Sequence, residues 1–189
     1  MSHNYFWFDN KYYLQRTGVA MGAKFAPSLA NLFMARWEED LIYSRDWPQL
    51  IFYRRYIDDI LLLWEGDEFT LLNFFTTTLN FNELNIKLSF QYDYFTISFL
   101  DLTLFNTGNT ISTKSYFKPT DRNSFIPKDS CHLPRWLANI PRGQFLRIHR
   151  NCTNREDFIT QSNILKNRFI EKGYNATSLE SEINEIVNM

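Results

Sequence analysis

Hydrophobic and polar positions fall into short strand-like runs over most of the chain and into helical periodicities near its end. Two aromatic runs at residues 5–8 and 11–14 flank Asp9-Asn10, a pair that tolerates left-handed backbone and so predicts a hairpin. After Gly18 and Gly22, Pro27 opens a predicted helix in which Ala30, Phe33, Met34, Trp37 and Leu41 recur at helical spacing. Arg36, Glu38 and Glu39 take its other side, and its end is expected between Arg45 and Pro48. The apolar runs 51–56 and 60–64 flank Ile57-Asp58-Asp59 and predict two buried strands meeting at a turn with adjacent carboxylates.

Further along, the pattern predicts a helix over about 67–80, a strand over 86–92 and a second hairpin, 99–105 with 110–117, around Asn106-Thr107-Gly108-Asn109. Thr153-x-x-Glu156 and Thr177-x-x-Glu180 each read as a capping box, so the chain from about residue 133 is expected to be helical. Two short helices around Pro141-Arg142-Gly143 admit a helix-turn-helix reading of that region.

Charge changes this picture more than composition does. The net charge of −1 conceals a segregation: residues 1–110 hold 8 Lys and Arg against 13 Asp and Glu, residues 111–173 hold 12 against 5, and residues 174–189 hold three Glu. A basic middle can follow phosphates, and an acidic first part can hold metal. The amino terminus lacks a secretory signal pattern, and no apolar run is long enough to span a bilayer. The expectation is an intracellular protein, the nucleus included, with Cys131 and Cys152 as reduced thiols.

Asp58 and Asp59 carry the first candidate chemistry. Nucleotidyl transfer onto a primer hydroxyl uses two Mg²⁺ ions about 3.5 to 4 Å apart, held by carboxylate oxygens. Side chains alternate along extended backbone, so an adjacent pair does not chelate one ion, and a third carboxylate from another strand is required. A plain solvated Asp-Asp turn is the alternative, and the apolar flanks on both strands favour the metal reading.

Tyr56-Ile57-Asp58-Asp59 resembles the Tyr-x-Asp-Asp motif of reverse transcriptases, and Met21-Gly22-Ala23-Lys24-Phe25-Ala26-Pro27 resembles that family's upstream Gln-Gly-x-x-x-Ser-Pro segment. The runs 12–15 into 18–22, Phe99-Leu100-Asp101, 116–120 and Ser130-Cys131-His132 resemble reverse transcriptases of Penelope-like retrotransposon elements, over about residues 5–173. The resemblance implies an RNA-directed DNA polymerase of α+β class. A palm, its antiparallel sheet carrying the Tyr-x-Asp-Asp hairpin packed on helices, would precede a small helical thumb-like region.

It implies Asp58 and Asp59 as catalytic, magnesium-binding residues. Met21, Gly22, Ala26, Pro27, Tyr56 and Ile57 would line the nucleotide and template pocket. The partners would be an RNA template, a DNA primer or RNA–DNA duplex, and deoxynucleoside triphosphates. The family's first catalytic Asp would lie upstream of Met1, so the expectation is a fragment or decayed copy, inactive alone. The domains implied are a partial palm over 1–110, a connecting segment over 111–132 and a thumb-like or helix-turn-helix-like region over 133–189.

The basic stretch supplies the runner-up function, a non-catalytic helix-turn-helix nucleic-acid-binding protein. Lys114, Lys118, Arg122, Lys128, Arg135, Arg142, Arg147 and Arg150 interleave with Tyr116, Phe117, Phe125, Trp136 and Phe145, a pattern suited to phosphate contact with base stacking. An ordinary solvated face is the plainer reading. Cys131-His132 with His149-x-x-Cys152 offers four zinc-type ligands whose adjacency makes a shared tetrahedron awkward. Asp101 is expected either in a polar network beneath the carboxylate turn or facing water.

Overall fold

The computed structural model describes residues 4–16, 18–20, 22–81 and 86–189. Met21 lies outside them. Among the described residues the chain is mixed α and β, with five α-helices and three small antiparallel sheets, and it divides into two compact units, Met1–Phe90 and Gln91–Met189.

In the first unit, β1 (Tyr5–Phe8) and β2 (Lys11–Leu14) form the expected hairpin, with Asp9 and Asn10 both at positive φ. Its side chains are exposed on both faces, and Phe6 stacks on Tyr13. Helix α1 (Ala26–Glu38) begins with Pro27 in its first turn and continues as a wide π turn over Glu39–Tyr43. Only its C-terminal half is packed: Ala30 and Phe33 are exposed, whereas Trp37 is buried.

Glu38, expected on the solvent side, is buried because it accepts from the Tyr53 hydroxyl at 3.0 Å and from Arg55 at 2.7 and 3.0 Å. Burial first, and then the Glu38 carboxylate, hold the Tyr53 phenol above its ordinary pKa. These bonds join α1 to β3 (Leu50–Tyr56), which pairs with β4 (Asp59–Trp64) around the two-residue turn Ile57-Asp58.

Helix α2 (Glu68–Phe74) is capped by Asp67, whose Oδ1 accepts from the Thr70 backbone N–H, and it continues as a π turn over Phe75–Leu79. The core of this unit is Trp37, Ile42, Tyr53, Phe74 and Leu79. The strand expected over 86–92 does not form. The backbone of Leu88 pairs instead with the Asn80 side-chain amide, which donates to its carbonyl at 3.0 Å and accepts from its N–H at 2.7 Å. A side-chain amide can satisfy backbone groups as a neighbouring strand would, without extending a sheet.

In the second unit, β5 (Thr96–Phe99), β6 (Leu102–Asn106) and β7 (Ile111–Ser115) form a meander. Gly108, at φ +91°, turns the expected hairpin between β6 and β7, but the strand expected over 99–105 is broken at Leu100-Asp101, where Leu100 takes φ +55° and Phe99 in β5 pairs back onto Leu102. Helices α3 (Pro134–Asn151), α4 (Arg155–Glu171) and α5 (Ala176–Val187) follow and pack pairwise. Their core is Phe145 and Ile148 of α3, Phe158, Leu165 and Phe169 of α4, Leu179, Ile183 and Ile186 of α5, and Tyr174 between α4 and α5.

The two short helices expected around Pro141 are one helix of 18 residues. Pro141 is fully buried one turn from Leu137 and one turn from Phe145, so packing of that face outweighs the backbone hydrogen bond that proline forgoes. Neither capping box forms as read. Asn154 and Asn175 are the N-caps, and Asn175 accepts from the Ser178 backbone N–H.

Thr153 is engaged elsewhere. Its hydroxyl accepts from the Thr113 backbone N–H at 2.9 Å, while its own N–H donates to the Thr113 carbonyl at 2.9 Å. The turn between α3 and α4 thereby covers the open edge of β7. A palm requires one sheet running through the carboxylate hairpin, but β3–β4 is a sheet of its own and β5–β7 is tied to the helices. The palm expectation is not met among the described residues.

Candidate nucleic-acid interface

Asp58 and Asp59 sit at the tip of the β3–β4 hairpin, as expected, and both are exposed, but the strands are not the buried pair that their apolar runs predict, since Tyr53 alone among their residues is buried. Tyr56 and Ile57 beside them are exposed as well, at 58% and 56%. Ile57 adopts φ +57°, and its carbonyl accepts from Arg55 Nη1 at 2.7 Å. Gly22 also has positive φ, +92°, but a Cβ added there meets nothing within 4 Å, so conformation rather than close approach calls for glycine. Ala26 and Pro27 start α1.

Among the described residues no three His, Cys, Asp or Glu side chains converge into a metal-holding group. Among the described residues, no third carboxylate joins the pair to complete the set that a two-Mg²⁺ site requires. The same holds for the zinc-type set. Cys131 is exposed, His132 Nδ1 pairs with Ser130 Oγ at 2.7 Å, His149 packs edge-on against Phe158, and burial pushes the Cys152 thiol pKa up.

The basic residues divide by what the fold does with them. Arg142 is held by Glu185 at 2.9 and 3.2 Å, joining α3 to α5. Arg147 donates to Asp101, which also accepts from Asn151, so Asp101 belongs to a sheet-to-helix link. Lys114 lies 4.5 Å above the Phe105 ring and Lys128 5.5 Å above that of Tyr174. Lys118, Arg122, Arg135 and Arg150 are exposed and make no side-chain hydrogen bond or ion pair among the described residues. Arg155, not singled out by the sequence reading, shares that condition, and its place in the first turn of α4 gives it no pattern to be found by.

The segment between β7 and α3 is fastened to the far end of α4. Asn123 donates to the Arg168 carbonyl at 2.8 Å and to Glu171 at 2.9 Å, Arg168 pairs with Asp121 at 2.6 Å, and the Lys128 N–H donates to the Lys172 carbonyl at 2.9 Å. Helices α4 and α5 meet at a four-residue turn, 172–175, in which Gly173 takes φ +82°. A glycine in left-handed conformation just past a helix end lets the chain reverse at once into the next helix. The turn expected at Arg142-Gly143 lies inside α3, and the junction between α4 and α5, from Glu171 to Ala176, is the one that carries a left-handed glycine.

Comparison with known families overturns the reverse-transcriptase reading and the retrotransposon polymerase function drawn from it. Residues 124–184 match the animal helix-turn-helix domain family, while no reverse-transcriptase family matches the chain. No curated protein and no solved structure matches it. The matched residues span the three-helix bundle from the segment fastened to α4 to the last turns of α5, and that match supports the helix-turn-helix reading over a polymerase.

Proposed function

We propose that the second unit is a nucleic-acid-binding module of helix-turn-helix type and that the chain works by binding. The observation that carries this is the coincidence of the matched residues with three packed helices, two of them joined by the glycine turn at 172–175. Charge supports it: the excess of 12 cations over 5 carboxylates in residues 111–173 lies mostly within this unit's segment before α3 and its first two helices. Lys118, Arg122, Arg135, Arg150 and Arg155 are the cations left free to meet phosphate.

The test is fluorescence anisotropy of the full chain with a labelled duplex DNA of mixed sequence, titrated at several salt concentrations. Cations that neutralise phosphates release counterions, so the logarithm of affinity should fall linearly with the logarithm of salt, by about 0.9 for each phosphate contacted. Failure to bind at low salt, or binding indifferent to salt, sinks the proposal.

A further inference from the structure

Which helix of the bundle meets nucleic acid follows from how charge is shared among the three. Helix α3 carries Arg135, Arg142, Arg147 and Arg150 and no acidic residue. Helix α4 is balanced, with Arg155, Lys166 and Arg168 against Glu156, Asp157 and Glu171. Helix α5, which stands where the groove-entering helix of a helix-turn-helix would stand, carries Glu180, Glu182 and Glu185 and no cation. Pushed into a groove between two phosphate strands, α5 would offer the phosphates no cation of its own, and its exposed positions Thr177, Ser181 and Asn184 carry no charge to hold them.

Two further observations point the same way. The entry to α5 is overlaid by the preceding segment, since the Tyr174 hydroxyl donates to the Ile126 carbonyl at 3.1 Å and Lys128 Cβ stands 3.7 Å from where a Cβ of Gly173 would be. Two glutamates of α5 are already matched inside the bundle, Glu185 by Arg142 and Glu180 by Lys166 at 2.5 Å. Arg142 of α3 and Lys166 of α4 are thereby engaged in holding α5.

The outer face of α3 has the opposite character. Leu137, Pro141, Phe145 and Ile148 form its buried face, with Phe145 and Ile148 in the core cluster. The reverse side carries Arg135, Trp136, Asn139, Gly143 and Arg150, all exposed. Arg135, Asn139 and Arg150 make no side-chain hydrogen bond or ion pair among the described residues, and a Cβ at Gly143 would meet nothing within 4 Å, so another molecule's backbone can come close there. Arginine and asparagine are the residues that read guanine and adenine edges in a major groove, and B-form DNA is wide enough there to admit a helix.

We infer that α3 is the helix that lies against duplex DNA, with Arg135 and Arg150 gripping phosphates at its two ends, while α5 faces away as the brace of the bundle. This rests on the helix-turn-helix reading and reverses its usual assignment of the contacting helix.

The full chain is compared with two double variants, each checked for unchanged circular dichroism. Arg135→Gln with Arg150→Gln removes the free cations of α3. Ser181→Glu with Asn184→Glu adds charge at two exposed positions of α5. The first pair should lose on the order of tenfold or more in affinity at 0.1 M salt and flatten the salt slope by about 2. The second should bind nearly as the parent does.

Loss confined to the α5 pair overturns the inference, and so does equal loss, or no loss, in both. An RNA duplex of the same sequence should compete poorly, because its major groove is too narrow for a helix, and equal competition also overturns it. A parent chain that binds no duplex at low salt fails the helix-turn-helix reading itself, a result distinct from all of these.

Discussion

Ile57 is the residue whose backbone sits least comfortably. A β-branched side chain at φ +57° crowds its own carbonyl, a conformation costing on the order of 1 to 3 kcal/mol unless its surroundings enforce it. Here they do. Tyr56 pairs with Asp59 across the turn, and Arg55, anchored on Glu38, donates to the Ile57 carbonyl. The side chain is 56% exposed, so removing it sacrifices little burial. Ile57→Asn, which tolerates left-handed backbone without glycine's entropic cost, should therefore stabilise the first unit by about 1 kcal/mol. A urea midpoint below the parent's would show that the turn is not strained as described. The sequence made this turn legible, because two apolar runs around Ile57-Asp58-Asp59 leave the chain nowhere else to reverse. It did not reveal the strain, since β-branched residues rarely occupy such a position and no pattern announces one that does.

At the scale of elements, what could be read depended on whether the determining partners were local. Asp9-Asn10 and Asn106 to Asn109 set their hairpins through turn residues alone, and α1, α4 and α5 followed from periodicity. Helix α3 and the missing strand over 86–92 did not, because Pro141 is overruled by burial and Leu88 by a side chain eight residues away. The capping boxes failed for a related reason: Thr153 is drawn to Thr113, a partner 40 residues distant. Arg142 and Arg147 pair with Glu185 and Asp101, partners more than forty residues distant that no local pattern announces.

The Asp101–Arg147 link between the β5–β6 turn and α3 makes a pH-dependent prediction. The Arg147 hydrogen bond holds the Asp101 carboxyl below the usual carboxylate range. A group whose folded pKa is depressed contributes stability that is present above the unfolded value, about 3.9 for Asp, and lost as pH falls through the lower folded value. Both side chains are substantially exposed, so solvent screens the pair and its effect on stability is small. Its effect on titration is easier to measure. Arg147→Gln should raise the Asp101 pKa toward about 3.9, as followed by NMR of the side-chain carboxyl. Above that pH, the parent should also be more stable than Asp101→Asn, with the difference closing as the pH is lowered. An Asp101 pKa unmoved by Arg147→Gln would mean that the two side chains do not meet in solution.

For the whole molecule, the two compact units differ in both core and charge. Residues 1–90 hold 8 Lys and Arg against 11 Asp and Glu, residues 91–189 hold 12 against 10, and each unit encloses a hydrophobic cluster drawn from its own residues alone. A unit with its own core, its own hydrogen-bonded sheet and no dependence on distant chain for its buried side chains meets the requirements for independent folding. The second unit goes further, because Thr113 with Thr153, Asp101 with Arg147 and Asn123 with Arg168 tie its sheet, its helices and the segment between them together. A chain of residues 91–189 alone should therefore unfold in one cooperative transition. Since its free cations are those assigned to phosphate, it should also bind duplex DNA with the full chain's salt slope. Residues 1–90, with their acidic excess and the exposed Asp58-Asp59 tip, should not bind. Thermal melting followed by circular dichroism checks the first claim, and anisotropy titrations of both pieces check the others. A 91–189 piece that melts without cooperativity, or that binds only when residues 1–90 are attached, would show that the acidic unit is part of the binding surface.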